Sequence, residues 1–172
     1  MTDGTTFAGI VVPSTSPLFL AGVAAHVAAA IVSVVAGAVA MLSRKGRGRH
    51  SRFGSLYVYS LGVVVVTAAG LALVRWSEDY QLFALALLAF AAAAWGRGRI
   101  RASPPAYRGH IAGMGLSYVV MLTAFYVDNG KQLPVWKALP TIAYWLAPGV
   151  IGLPIVVWAI LRHPLVRSRT AN

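Results

Sequence analysis

Five long apolar stretches, separated by short polar connections, dominate the pattern of this chain. A helix needs roughly 20 apolar residues to cross the hydrocarbon core of a bilayer, with a range of about 17–25. The predicted spans are residues 17–42, 55–76, 81–95, 110–127 and 139–161. The third is the shortest, but its Ala and Leu residues favour helix. The pattern predicts an all-α integral membrane bundle of about five transmembrane helices.

Composition agrees with this fold class. Hydrophobic residues make up 58% of the chain and charged residues only 11%, whereas soluble domains carry roughly 25% charged residues. The chain contains no cysteine, which excludes disulfides, thiolate catalysis and iron–sulfur clusters.

The first 17 residues contain no Lys or Arg and carry Asp3. A signal peptide needs a basic segment before its apolar core, so the first span is predicted to be retained. The predicted organisation is an extracytoplasmic segment (1–16), a transmembrane domain (17–162) and a basic cytoplasmic tail (163–172).

Charge predicts the orientation. Of the 15 Lys and Arg residues, 12 lie after the first, third and fifth spans. The four acids, Asp3, Glu78, Asp79 and Asp128, all lie on the opposite side. Basic loops stay in the cytoplasm. The protein is therefore predicted to lie in a bacterial cell membrane, with its N-terminus outside the cell and its C-terminus in the cytoplasm.

The net charge of +11 would indicate nucleic acid in a soluble protein. Here the charge lies in short blocks between apolar stretches, so no nucleic-acid partner is expected. The predicted partner is a bilayer with anionic headgroups, contacted by Arg47, Arg49 and Arg52 beside the first two spans. A homo-oligomer or a membrane-protein partner stays open.

Small residues and prolines indicate how the spans pack. Ala21, Ala25, Ala29, Ser33 and Gly37 follow one another at a spacing of four and predict a helix-packing seam. The fifth span contains three prolines, which are expected to kink it: Pro140, Pro148 and Pro154.

His26 is the most informative candidate for chemistry. It lies roughly 13 Å deep in the first span, where an ionisable group is costly and usually faces the bundle interior. Two alternatives follow. His26 contacts a metal, a haem, a quinone or a proton path, or it is a neutral histidine bonded to a Tyr or Ser of a neighbouring helix. Tyr126, at a similar depth, is the expected partner.

His50, His110 and His163 all lie at the predicted cytoplasmic boundary. Imidazole is a common metal ligand, so His50 and His110 are candidate ligands of one divalent metal, and His26 with His110 are candidate haem contacts. No HExxH motif and no pair of histidines four residues apart is present. A histidine at the headgroup level also needs no ligand, and the sequence favours no bound cofactor.

The run from Arg44 to Tyr57 contains Lys45-Gly46, His50 and Gly54, and a second histidine stands in Arg108-Gly109-His110. With His26, these residues resemble the bacterial predicted membrane proteins of domain-of-unknown-function family 2306, over roughly residues 26–127. The resemblance implies a helical membrane bundle with recurring histidines at 26, 50 and 110, which act together as metal or haem contacts. It implies no established activity.

Three functions are weighed. The first is a non-catalytic structural or accessory bundle, because no catalytic constellation is visible in the sequence. The second is a histidine-based metal- or haem-binding redox protein. The third is a small transporter, suggested by the proline-rich fifth span and ranked last because no internal repeat is visible.

Overall fold

The computed structural model describes residues 5–7, 10–12, 16–103 and 105–163. Two three-residue strands, β1 (Thr5–Phe7) and β2 (Ile10–Val12), pair antiparallel before the first helix. The helices are α1 (Pro17–Leu42), α2 (Arg49–Val74), α3 (Trp76–Arg101), α4 (Tyr107–Asn129) and α5 (Thr141–Arg162). All five are long and apolar enough to cross a membrane. The helical class and the number of helices able to span a membrane are confirmed, whereas most of segment 1–16 and of tail 163–172 lies outside the described residues.

The third helix is much longer than its predicted span of residues 81–95. It covers 26 residues, with Glu78 and Asp79 in its first turn and Arg99 and Arg101 in its last. A helix dipole favours acids at the N-terminus and bases at the C-terminus, so these charges stabilise both ends. The prediction of a short third span was wrong because polar turns extend the helix beyond its apolar middle.

Two further boundaries differ from the predictions. The second helix begins at Arg49 rather than residue 55, so His50 lies on its first turn. Pro140 precedes α5 as its N-cap, and only Pro148 and Pro154 lie inside the helix. Pro140 therefore does not interrupt α5, because a proline before the first turn removes no helical hydrogen bond.

The chain divides into two compact units, Met1–Tyr80 and Gln81–Asn172. The first unit contains the hairpin of α1 and α2. The predicted seam on α1 is correct in its C-terminal half, where Ser33 and Gly37 are buried. Its N-terminal half is wrong, since Ala21 and Ala25 are exposed. At the far end of α2, Arg75 pairs with Glu78.

The second unit contains most of α3 together with α4 and α5. Glycines bring its helices together. A Cβ atom at Gly115 of α4 would overlap Val156 of α5, and a Cβ at Gly152 of α5 would overlap Val119 of α4. Each glycine therefore receives a valine of the other helix, and the two contacts share one antiparallel register.

The connection between α4 and α5 is held by aromatic packing. The Tyr126 and Trp136 rings lie 4.1 Å apart. The Tyr144 hydroxyl donates to the carbonyl of Trp136 at 3.1 Å, and its ring packs on Gly130. Tyr144 is only 2% exposed, so its ring is enclosed by this packing.

Large apolar side chains face outward on several helices. Val35 of α1 is 54% exposed, and Ile151 and Trp158 of α5 are 62% and 60% exposed. Soluble monomers rarely expose apolar surface on this scale. Hydrocarbon is the solvent that suits such faces, and the architecture is that of a multi-pass membrane protein.

Candidate functional site

His26 of α1 bonds to Thr67 of α2. Its Nδ1 lies 2.9 Å from the Thr67 Oγ1. The Thr67 hydroxyl has a carbonyl acceptor of its own, that of Val63 at 2.8 Å. When its proton goes there, its oxygen accepts from His26, and the proton of neutral His26 lies on Nδ1 with the lone pair on Nε2. The partner found is a threonine, whereas Tyr126, the expected one, lies in the other unit.

A second polar contact joins α1 and α2 in the same register. The buried Ser33 hydroxyl donates to the Ser60 Oγ at 2.8 Å, and Ser60 donates to the carbonyl of Leu56 at 2.8 Å. Sequence reasoning placed Ser33 in a packing seam but missed Ser60. A signal was present, because the spacing of Ser60 and Thr67 on α2 equals that of Ser33 and His26 on α1.

His50 makes a third contact between the two helices. From the first turn of α2, its Nδ1 lies 2.8 Å from the carbonyl oxygen of Ala40 near the end of α1. A carbonyl can only accept a hydrogen bond, so the proton lies on Nδ1 of His50. The last four carbonyls of a helix have no partner within it, and His50 therefore helps to cap α1.

The three contacts form an evenly spaced series, which we call the polar ladder. Their positions on α1 are His26, Ser33 and Ala40. Seven residues correspond to about two helical turns and roughly 10 Å of rise, so all three lie on one face of α1. The polar ladder fixes the register of α1 against α2 over much of their length.

His110 makes the corresponding contact in the second unit. Its Nδ1 lies 2.9 Å from the carbonyl oxygen of Gly96, so here too Nδ1 carries the proton. The backbones are close at this point, because a Cβ at Gly113 would lie 2.7 Å from the Gly96 Cα and 2.8 Å from the Ala92 carbonyl oxygen. The glycine pair thus brings the Gly96 carbonyl within reach of His110.

His163, at the end of α5, stacks on Tyr107 at the start of α4. Their rings lie 5.8 Å apart with an interplanar angle of 20°. Its Nδ1 is buried and has no hydrogen-bond partner among the described residues. His163 therefore contributes packing between the start of α4 and the end of α5.

The structure separates His26 from His50. His50 contacts α1 at Ala40, fourteen residues from His26, which is roughly 21 Å along a helix. Those two side chains cannot share one ion. His50 and His110 belong to different units, so their joint metal site stays a prediction. Among residues 16–103 and 105–163, no group of three potential metal ligands occurs.

The arginines predicted to contact lipid lie around the connection between α1 and α2. Arg47, Arg49 and Arg52 are all exposed. The connection turns through Gly46 and Gly48, whose φ angles are 127° and 124°. Only glycine adopts such angles readily, so these two residues let the chain turn from α1 into α2 within a few residues.

No protein-family model, no curated protein and no solved structure matches this chain. The resemblance to domain-of-unknown-function family 2306 therefore stays a prediction from the residues. The structure does give a local role to the residues that suggested it. Lys45 and His50 both bond to carbonyls at the end of α1, and Gly46 lies in the turn between them.

Proposed function

We propose that this chain is a non-catalytic membrane protein, a structural or accessory bundle whose histidines tie sequential helices together. The observation that carries the proposal is that three of its histidines bond an oxygen of the preceding or following helix, at 2.9 Å for His26, 2.8 Å for His50 and 2.9 Å for His110. Bonds between helices in a bilayer contribute on average about 0.6 kcal/mol. They set register more than they add stability.

We further propose that the N-terminus lies outside and the C-terminus in the cytoplasm of a bacterial cell membrane. The support is the distribution of charge. Residues 43–52, which form the connection after α1 and the first turn of α2, carry five basic residues and no acid, whereas both acids of α3 lie in its first turn. By the positive-inside rule, the basic connection between α1 and α2 lies in the cytoplasm and the acidic start of α3 lies outside.

A double-mutant cycle on His26 and Thr67 tests the structural role. We expect His26→Ala and Thr67→Val each to lower the free energy of unfolding in detergent by about 1 kcal/mol, and the double variant to lose less than their sum. The coupling energy should be about 0.6–1 kcal/mol, since each single variant breaks the same bond. Denaturant titration followed by helical circular dichroism measures it.

The matched control pairs His26→Ala with Ser60→Ala, which removes a different contact of the polar ladder. Those two changes should add within about 0.5 kcal/mol, because the residues share no partner. If the losses from His26→Ala and Thr67→Val were fully additive, the two residues would not interact, and the structural proposal would lose its main support.

A histidine-based metal- or haem-binding protein is the second candidate. One observation favours it: His50 and His110 both donate from Nδ1 to a backbone carbonyl, which places the lone pair on Nε2. Histidines that ligate metals usually have their other ring nitrogen held in this way. A bound divalent metal or haem would supply Lewis-acid or redox chemistry at those residues.

The visible spectrum and metal content of the purified protein discriminate the two candidates. The structural proposal predicts a colourless protein with far less than one metal ion per chain. It also predicts that His50→Ala and His110→Ala change stability without changing metal content. A Soret band, or stoichiometric metal that is lost in either variant, would contradict the structural proposal and support a metal- or haem-binding protein.

A further inference from the structure

The basic connection between α1 and α2 contains two kinds of cation that the sequence does not distinguish. Five basic residues lie between residues 43 and 52: Arg44, Lys45, Arg47, Arg49 and Arg52. A rule that counts charge treats them alike. The structure separates Lys45, which turns back onto its own helix, from the four arginines.

Lys45 binds the carbonyl end of α1. Its Nζ donates to the carbonyl oxygen of Met41 at 2.5 Å and lies 3.4 Å from that of Ala40. A cation at a helix C-terminus interacts favourably with the dipole and satisfies carbonyls that lack a helical partner. Partial burial of the ammonium in this position lowers the pKa of Lys45 from its ordinary value. With His50 on the Ala40 carbonyl, Lys45 holds the connection against α1.

The four arginines make no such bond to a described residue. Arg44, Arg47, Arg49 and Arg52 are exposed, as Lys45 also is, and none forms an ion pair with a described residue. No acid occurs between residues 43 and 52, and the first turn of α2 also lacks one. The patch therefore has no internal counter-charge, and it lies where two membrane-spanning helices end.

We propose that Arg44, Arg47, Arg49 and Arg52 form a docking surface for the phosphate of anionic phospholipid headgroups, with Lys45 acting only as the cap that holds this surface in place. Guanidinium groups bind phosphate oxygens in a bidentate manner. Basic residues beside a span attract anionic lipid with about 1 kcal/mol each. The position at the ends of α1 and α2 favours a lipid over a free phosphate. The inference does not rest on the structural role of the histidines.

Lipid titration of the purified full chain tests the proposal. The chain in neutral detergent is titrated with dioctanoyl phosphatidylglycerol, with dioctanoyl phosphatidylcholine and with inorganic phosphate at matched ionic strength, followed by microscale thermophoresis. We expect phosphatidylglycerol to bind more tightly than the other two. The Arg47→Gln/Arg49→Gln double variant should weaken its binding about 25-fold, since each charge contributes roughly fivefold.

Lys45→Gln is the matched control, because it removes the same charge from the same connection. It should lower the stability of the protein while weakening lipid binding less than about threefold. Arg47→Gln should leave the stability unchanged while weakening lipid binding more than about threefold. The Arg47→Lys/Arg49→Lys variant keeps the charge and guards against a variant that fails to fold. It should weaken binding by about threefold or more, because lysine cannot bind phosphate in a bidentate manner.

Three results would overturn the proposal. Equal affinity for phosphatidylglycerol and phosphatidylcholine would exclude headgroup recognition. Equal losses from Lys45→Gln and Arg47→Gln would reduce the effect to net charge. Inorganic phosphate that binds as tightly as phosphatidylglycerol, and is lost in the double variant, would assign the surface to a free phosphate instead of a lipid.

Discussion

Replacing Gly113 with alanine is expected to force α3 and α4 apart and to lower the free energy of unfolding by about 3 kcal/mol. The new Cβ would lie 2.7 Å from the Gly96 Cα and 2.8 Å from the Ala92 carbonyl oxygen. Both are backbone atoms, so no side-chain rotation relieves the overlap. The substitution should also lengthen the bond from His110 to the Gly96 carbonyl. Denaturant unfolding in detergent micelles measures the loss.

Gly98→Ala provides the matched control, since Gly98 lies on α3 two residues after Gly96, the contact of Gly113. A Cβ at Gly98 meets nothing within 4 Å, so this variant should be neutral or slightly more stable, since alanine favours helix. Gly96→Ala should behave like Gly113→Ala, because its Cβ would lie 2.9 Å from the Met114 backbone nitrogen. If Gly113→Ala proves as stable as Gly98→Ala, the backbone contact between α3 and α4 is wrong.

The Gly115→Ala/Gly152→Ala double variant is expected to weaken the packing of α4 against α5 by about 2–3 kcal/mol. The new methyl groups would overlap the side chains of Val156 and Val119. Valine has few alternative rotamers in a helix, so the helices must move apart to make room. Chemical denaturation of the reconstituted protein reads out the loss.

Truncation of the opposing valines tests whether the overlap is the cause. Adding Val119→Ala and Val156→Ala to the double glycine variant should restore part of the lost stability, because each methyl then faces an alanine. Gly149→Ala, whose Cβ would meet nothing within 4 Å, should have little effect. Failure of the valine truncations to restore any stability would contradict the packing of α4 on α5.

The extent of the third helix shows what an apolar pattern can predict. Hydropathy identified its apolar middle. The pattern could not place its ends, because the first and last turns of α3 are polar and are stabilised by the helix dipole instead of by burial. The early start of α2 at Arg49 was also missed, because its first turn is polar and basic, although here the dipole does not favour the charges.

The candidate site was predictable in its residues but not in their contacts. His26, His50 and His110 stood out because intramembrane and boundary histidines are conspicuous. Two of their partners are backbone carbonyls of Ala40 and Gly96, and no sequence pattern marks a carbonyl. The third, Thr67, was visible only as a polar residue within a span. Pairing Thr67 with His26 requires the register of α1 against α2, which only the structure gives.

The glycine contacts illustrate a similar limit. Gly113 and Gly115 are small residues of the kind that suits close helix packing in a membrane. They are two positions apart on α4, so they face different neighbours, Gly96 of α3 and Val156 of α5. A single sequence gives the helical face of each glycine but does not say which helix covers it.

The histidine tautomers test the central claim most directly. In bilayers, side-chain ¹⁵N resonances of ring-labelled protein report which nitrogen of each histidine carries the proton. The account predicts protonated Nδ1 and unprotonated Nε2 for neutral His26, His50 and His110, unchanged by a metal chelator. A proton on Nε2 alone at His50 or His110 would be incompatible with donation to the Ala40 or Gly96 carbonyl. That result would contradict the role of these histidines as links between helices.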